Sequence, residues 1–176
     1  MSSLLKIAPV EKLQDEINKT ISSFSGTPGV YVSLNKTQKG VEEIFKKNKI
    51  DATKLFFIDC VSADKTNEDV LYVSPNNLEN LSCSINDFIK EIPGKKYLIV
   101  DALSTLLIYN PENKVAAFVK EIIEYASKQD VEIIAISPAT KGEDLLNKIF
   151  NFFDKVEKEN IEKMETKNEL DEELIY

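Results

Sequence analysis

The sequence has 176 residues and contains no arginine, no histidine and no tryptophan, so all 22 of its basic residues are lysine. Without histidine there is no imidazole to serve as a general base near neutral pH or as a metal ligand. Without arginine there is no planar guanidinium fork to clamp a phosphate, and lysine replaces it only as a point charge. Abundant Lys, Asn, Ile and Glu with no Arg also accompanies AT-rich coding sequence, so missing motifs exclude more than missing arginine does. A phosphate-cradling loop has the form G-x-x-x-x-G-K-[ST]. Of the five glycines, Gly26, Gly29, Gly40, Gly94 and Gly142, only Gly94 precedes a lysine. The residue after Lys95 is Lys96, and five positions before Gly94 stands Ile89. The loop is absent, and with it the nest of backbone N–H groups that no side chain easily replaces.

Cysteine is scarce as well. Cys60 and Cys83 have no CxxC spacing and no histidine to complete a ligand set, which excludes a zinc site or a redox pair and leaves two plain buried thiols as the expectation. No apolar run approaches the roughly 20 residues that a membrane helix requires, and no charged-then-apolar leader opens the chain. A cytoplasmic protein is expected, with no membrane partner. The net charge of -8 and pI near 4.8 argue against a nucleic-acid partner, because phosphate affinity rests on concentrated positive charge.

What is present fits one domain of ordinary size, since 43% of the residues are hydrophobic. Pro9 can open an amphipathic helix with Val10, Leu13, Ile17, Ile21 and Phe24 on one face, so residues 1–28 read as mostly one helix and a turn. Strands are expected at 30–34, 55–61, 70–73, 97–103 and 131–136, with an edge strand near Val156. Between them, helices start near Thr37, near Asn76 or Asn77, at Pro111 and at Lys141, the second ending at Pro93-Gly94 and the last reaching Phe153. Residues 62–69 read as a polar loop. This alternation predicts a single three-layer α/β/α domain over residues 1–156 with a mostly parallel sheet. Residues 157–176 carry eight acidic against three basic residues and read as an acidic C-terminal tail ending in Leu174-Ile175-Tyr176.

Doubly wound sheets bind ligands outside the carboxyl ends of their strands, which places Asn35, Lys36, Asp59, Ser74, Asp101 and Ser137 on the expected ligand edge. Asp59 and Asp101 close apolar strands and, at adjacent strand ends, together could hold a divalent cation, although strand-end aspartates also cap helices and satisfy loop amides. Lys36, Lys39 and Lys141 could attract an anion to the same edge. Tyr72 and Tyr109 are candidates for a partner-covered aromatic patch, with core packing the favoured reading.

The stretches VLYVSPNNLENLSCSI and KKYLIVDALSTLLIYN, followed by FVKEIIEYA, VEIIAIS and FFDKVEKE, resemble the RecA-like core of archaeal KaiC-type ATPase-domain proteins over about residues 29–157. The resemblance implies that Asp101 corresponds to the Mg²⁺-orienting aspartate and that Ser104 lies in the turn after it. It also implies a departure: active members carry adjacent acidic residues after the strand equivalent to 30–34, to activate the attacking water, and here Asn35-Lys36 stand instead. Neither side chain accepts a proton from water as a carboxylate does.

A degenerate RecA-like domain that has lost nucleotide hydrolysis and serves as an interaction or regulatory module is the leading expectation. Its partner would be a second copy or an active KaiC-like paralogue, and no cofactor is expected. One rival is an MgATP-binding protein or weak ATPase in which Asp101 orients the metal and a neighbouring subunit or the 25–29 loop contacts phosphate. Another is a small-molecule enzyme using Asp59 and Asp101 as an acid and base pair.

Overall fold

The structure, a computed structural model, describes residues 2–62 and 70–159. Among the described residues seven strands form one sheet: β1 (Ser3–Ala8), β2 (Gly29–Ser33), β3 (Leu55–Asp59), β4 (Val70–Tyr72), β5 (Lys96–Asp101), β6 (Val131–Pro138) and β7 (Lys155–Lys158). Their order is β4-β3-β2-β5-β6-β1-β7, and every neighbouring pair is parallel. Parallel strands bury both faces, which explains continuous apolar runs such as Tyr97-Leu98-Ile99-Val100. On one face Tyr31, Phe57, Ile99 and Ile134 meet Ile17 and Ile21 of α1 (Leu13–Ser23) and Val41 and Phe45 of α2 (Gln38–Lys47). On the other, Val30, Val32, Leu98 and Val100 pack with α3 (Leu78–Glu91), α4 (Glu112–Lys128) and α5 (Glu143–Ile149). The three-layer α/β/α architecture is that of a RecA-like domain.

The N-terminal expectation needs correcting. Residues 3–8 are not part of a helix but a strand inserted between β6 and β7, with Leu5 and Ile7 in the core. A six-residue strand interrupted by Lys6 gives little periodic signal; its neighbours lie more than a hundred residues away and supply the burial. Lys6 stays near the surface and pairs with Glu16 and Glu157. Val10 lies in a 3-10 turn (Val10–Lys12) and is exposed, so the apolar helical face begins at Leu13. At the other end, Glu157 and Lys158 belong to β7 rather than to the tail, while residues 160–176 fall outside the described residues. Most of the predicted 62–69 loop lies outside them as well.

Local signals place the remaining elements. The Thr37 hydroxyl accepts from Gly40 N, and the Asn77 side chain accepts from Asn80 N, capping α2 and α3. Pro111 precedes the first residue of α4. The last helix is shorter than expected, Glu143–Ile149, and tightens into a 3-10 turn at Phe150–Phe152. Lys96 is buried, with its ammonium donating to the carbonyls of Ile92 and Gly94 that end α3. Cys60 is buried as expected, but Cys83 is exposed on α3; Tyr109, expected in the core, is half exposed after β5.

Gly29 is fixed by close approach. A Cβ there would lie 2.5 Å from the ring of Tyr97, which is buried and stacked on Phe24 at 4.2 Å. With Phe24 stacked on the ring, Gly29→Ala should cost about 1–3 kcal/mol, as overpacked cores do. Urea unfolding of the variant should show a lower midpoint with unchanged slope; an unchanged midpoint would show that the ring moves freely.

Candidate functional site

The parallel register sets three strand ends side by side. Ser33 at the end of β2 pairs with Asp59 of β3 on one flank and with Asp101 of β5 on the other. All three project towards the α1 and α2 face. The two aspartates therefore do not end adjacent strands: two strand spacings, about 10 Å between backbones, separate them. Between them the Ser33 hydroxyl donates to Lys36 O at 2.5 Å, closing the turn after β2.

Asp59 is spent on structure. Its Oδ1 accepts from Val61 N and Ser62 N, and its Oδ2 from Gln38 N and the Ser62 hydroxyl, at 2.8–2.9 Å. Burial opposes its ionisation, but these bonds outweigh burial and hold its pKa below the ordinary value. The carboxylate thereby occupies the N-terminus of α2, a position where an anion would otherwise be favoured.

Asp101 is held differently. It is 2% exposed, its Oδ2 accepts from the Tyr31 hydroxyl at 2.6 Å, and Asn35 Nδ2 approaches Oδ1 at 3.4 Å. The backbone carbonyl of Asp101 accepts from Leu34 N, and the Thr105 hydroxyl donates to the Asn35 amide oxygen. The peptide linking Asp101 to Ala102 is cis. Burial drives the Asp101 pKa up, against the Tyr31 hydrogen bond, the positive charge of Lys36 and the Asn35 contact. The Tyr31 hydroxyl is pushed well above its usual range by burial and by the same carboxyl group.

Of the other predicted residues, Asn35 and Lys36 join Asp101, and Asn35 touches it directly. Ser104 lies in the 3-10 segment Leu103–Ile108, where its Cβ faces Gly142; it makes no side-chain hydrogen bond among the described residues. Ser74 follows the edge strand β4 and donates to Asn76. Ser137 is buried on β6, its hydroxyl directed to Pro138 O, and by alternation it faces the α3 to α5 side, opposite Asp101. These three therefore do not assemble around Asp101. The 25–29 loop precedes β2 at the amino edge of the sheet, the wrong end to bring phosphate to Asp101. No cluster of three or more acidic, Cys or His side chains suited to a metal occurs among the described residues. An open groove of about 740 Å³ between the start of α3 and α4 is lined by Asn76, Asn77, Cys83, Asn110, Lys114 and Glu121, none of them a strand-end residue.

Tyr31 and Thr105 are the members that sequence reasoning missed. Tyr31 falls two residues before Ser33 on a strand, hence on the same face, but only the β2–β5 pairing brings its hydroxyl to Asp101. Among the described residues no helix is long and apolar enough to cross a membrane.

The two aspartates should respond to pH in opposite senses. The folded state holds the Asp101 proton more tightly than the unfolded chain does, so stability from this group is lost as pH rises from about 4 through its raised folded pKa. Asp59, with a lowered pKa, contributes stability above its unfolded pKa that is lost as pH falls through the folded value. Asp101→Asn should accordingly unfold at higher temperature than the native chain near pH 7.5, with the difference shrinking towards about pH 4 in thermal melts. A variant less stable by the same margin at every pH would refute the assignment. Asp59→Asn turns one acceptor oxygen into a donor facing N–H groups and should cost about 1–3 kcal/mol in chemical unfolding at neutral pH.

No curated protein matches the sequence. Among solved structures, a KaiC-like protein from the hyperthermophilic archaeon Pyrococcus horikoshii OT3 superposes with a TM-score of 0.60 at 15% identity, covering 88% of this chain and 69% of that one. A second Pyrococcus horikoshii OT3 protein gives a TM-score of 0.62 at 10% identity, covering 92% and 83%. At such identities the likeness is one of fold. Residues 3–167 match the family of unknown function DUF7090, and the chain belongs to that family.

Proposed function

We propose that this protein is a RecA-like domain without nucleotide hydrolysis that acts as an interaction or regulatory module. One observation carries the reading: the carboxyl group placed where a metal-orienting aspartate would stand is engaged by its own neighbours, Tyr31 on one oxygen and Asn35 on the other. Phosphoryl chemistry needs a phosphate cradle, a metal and a group that positions or deprotonates water. Asn35 and Lys36 supply no base. β1 runs through Pro9 into the compact Val10–Lys12 turn, and Glu11, Asp15 and Glu16 put negative charge at the start of α1, where a phosphate would be repelled.

With the strand ends occupied internally, what the edge offers to another molecule is its surface. Ile108 and Tyr109 are 74% and 52% exposed in the segment whose Thr105 hydroxyl bonds Asn35. Exposed apolar side chains among polar ones suit a protein partner, a second copy or a KaiC-like relative.

Thermal unfolding with and without millimolar MgATP tests the reading. A ligand at 100 times its Kd stabilises by about 2.7 kcal/mol, a shift of several degrees at this size. The expected result is no shift in the native chain or in Asp101→Asn. A shift in the native chain that disappears in Asp101→Asn would overturn the proposal in favour of MgATP binding.

A further inference from the structure

We infer that the groove between α3 and α4 binds the free carboxyl end of an extended peptide that carries a basic side chain two residues before that end. The inference rests on the reading of this protein as an interaction module and names the chemistry of its partner.

The groove, of about 740 Å³, lies where both helices start, and Asn110 on its wall directly follows the exposed Tyr109. α3 leads from β4 to β5 and α4 from β5 to β6, all parallel strands of one sheet, so the two helices run side by side in the same direction. The Ser82 hydroxyl donates to Glu121 at 2.9 Å and sets their register. Asn110, donating to Pro75 O at 2.8 Å, ties the approach to α4 to the turn before α3. Asn77, Asn110 and Lys114 thereby share the upper end of the groove, and Cys83 and Glu121 its lower end.

Two amides at the upper end have their orientation fixed by other bonds. Asn110 Nδ2 donates to the carbonyls of Pro75 and Leu106, which leaves Oδ1 as an acceptor. Asn77 spends Oδ1 on the Asn80 N–H, which leaves Nδ2 as a donor. One fixed donor and one fixed acceptor match a peptide backbone, where every unit carries one of each. Charge gives the direction. Lys114 is exposed and joins no ion pair among the described residues, whereas Glu79 lines the groove farther along and Glu121 lies seven residues, about 10 Å, down α4. A carboxylate suits the first end and a cation the second, and about 10 Å is the span of three extended residues. Leu78 and the small Ala117 line the stretch between them and let a backbone lie close. A simple anion would leave the acidic end without a counter-charge and the paired amides half used.

Cys83 reports occupancy, because it is exposed on the groove, whereas Cys60 is buried with its thiol pushed up to about 12. The rate at which iodoacetamide alkylates Cys83 in the full chain is measured against acetyl-Lys-Ala-Ala with a free carboxyl end. The expected result is at least about fivefold slowing, half complete at or below about 1 mM peptide. The peptide carboxamide, and the free-acid peptide with Lys114→Met, Glu121→Gln or Asn77→Ser, should each need at least about tenfold more peptide. Glu121→Gln keeps an acceptor for Ser82, and Asn77→Ser keeps a capping oxygen, so the fold is retained. No slowing at about 20 mM peptide, or equal protection by the carboxamide, would overturn the inference. Equal protection by free lysine or by acetate would also overturn it, assigning the groove to an amino acid or a small anion. Each of these failures leaves the MgATP melts above unchanged, so the two readings fail separately.

Discussion

Backbone pairing of β1 with β6 and β7 is the constraint on which the sheet depends. It joins residues 3–8 to residues 131–138 and 155–158, so the first strand is held by elements from the last third of the chain. Side chains reinforce the closure: Asp154 accepts from the backbone N–H and hydroxyl of Ser3, and Asp154 N donates back to the same hydroxyl. Without β1, β7 would have no neighbour and β6 would present an open edge. Contacts so distant in sequence carry a large loop-closure cost and form after local ones.

The same dependence explains what could be read from the sequence. Elements with local signals were legible: the caps at Thr37 and Asn77, Pro111 before α4, and the continuous apolar strands. β1 was not, because a short strand containing Lys6 is defined by its neighbours and not by its own period. At the site, the strand-end position of Asp59 and Asp101 was legible, but their separation was not. Strand order placed β2 between them, and order is a property of crossovers that no local pattern encodes.

Asp59 and Asp101 show how the same residue type at equivalent strand ends takes opposite characters. Asp59 faces four donors, three of them backbone N–H groups in the adjoining turns, and is stabilised as an anion. Asp101 faces a phenol and one distant amide in a buried setting, and its charge is disfavoured. Chain geometry decides: the turn after β3 curls its amides back onto the carboxylate, whereas among the described residues no backbone N–H after β5 donates to the Asp101 carboxyl group.

The two borders of the sheet, β4 and β7, bear on strand addition. β4 is only three residues long, and β7 places Lys155 and Lys158 at the ends of its four residues. Short and lysine-bearing borders discourage the strand-by-strand addition that leads open sheets into fibres. Both hydrogen-bonding rims are thereby poor templates for a further strand.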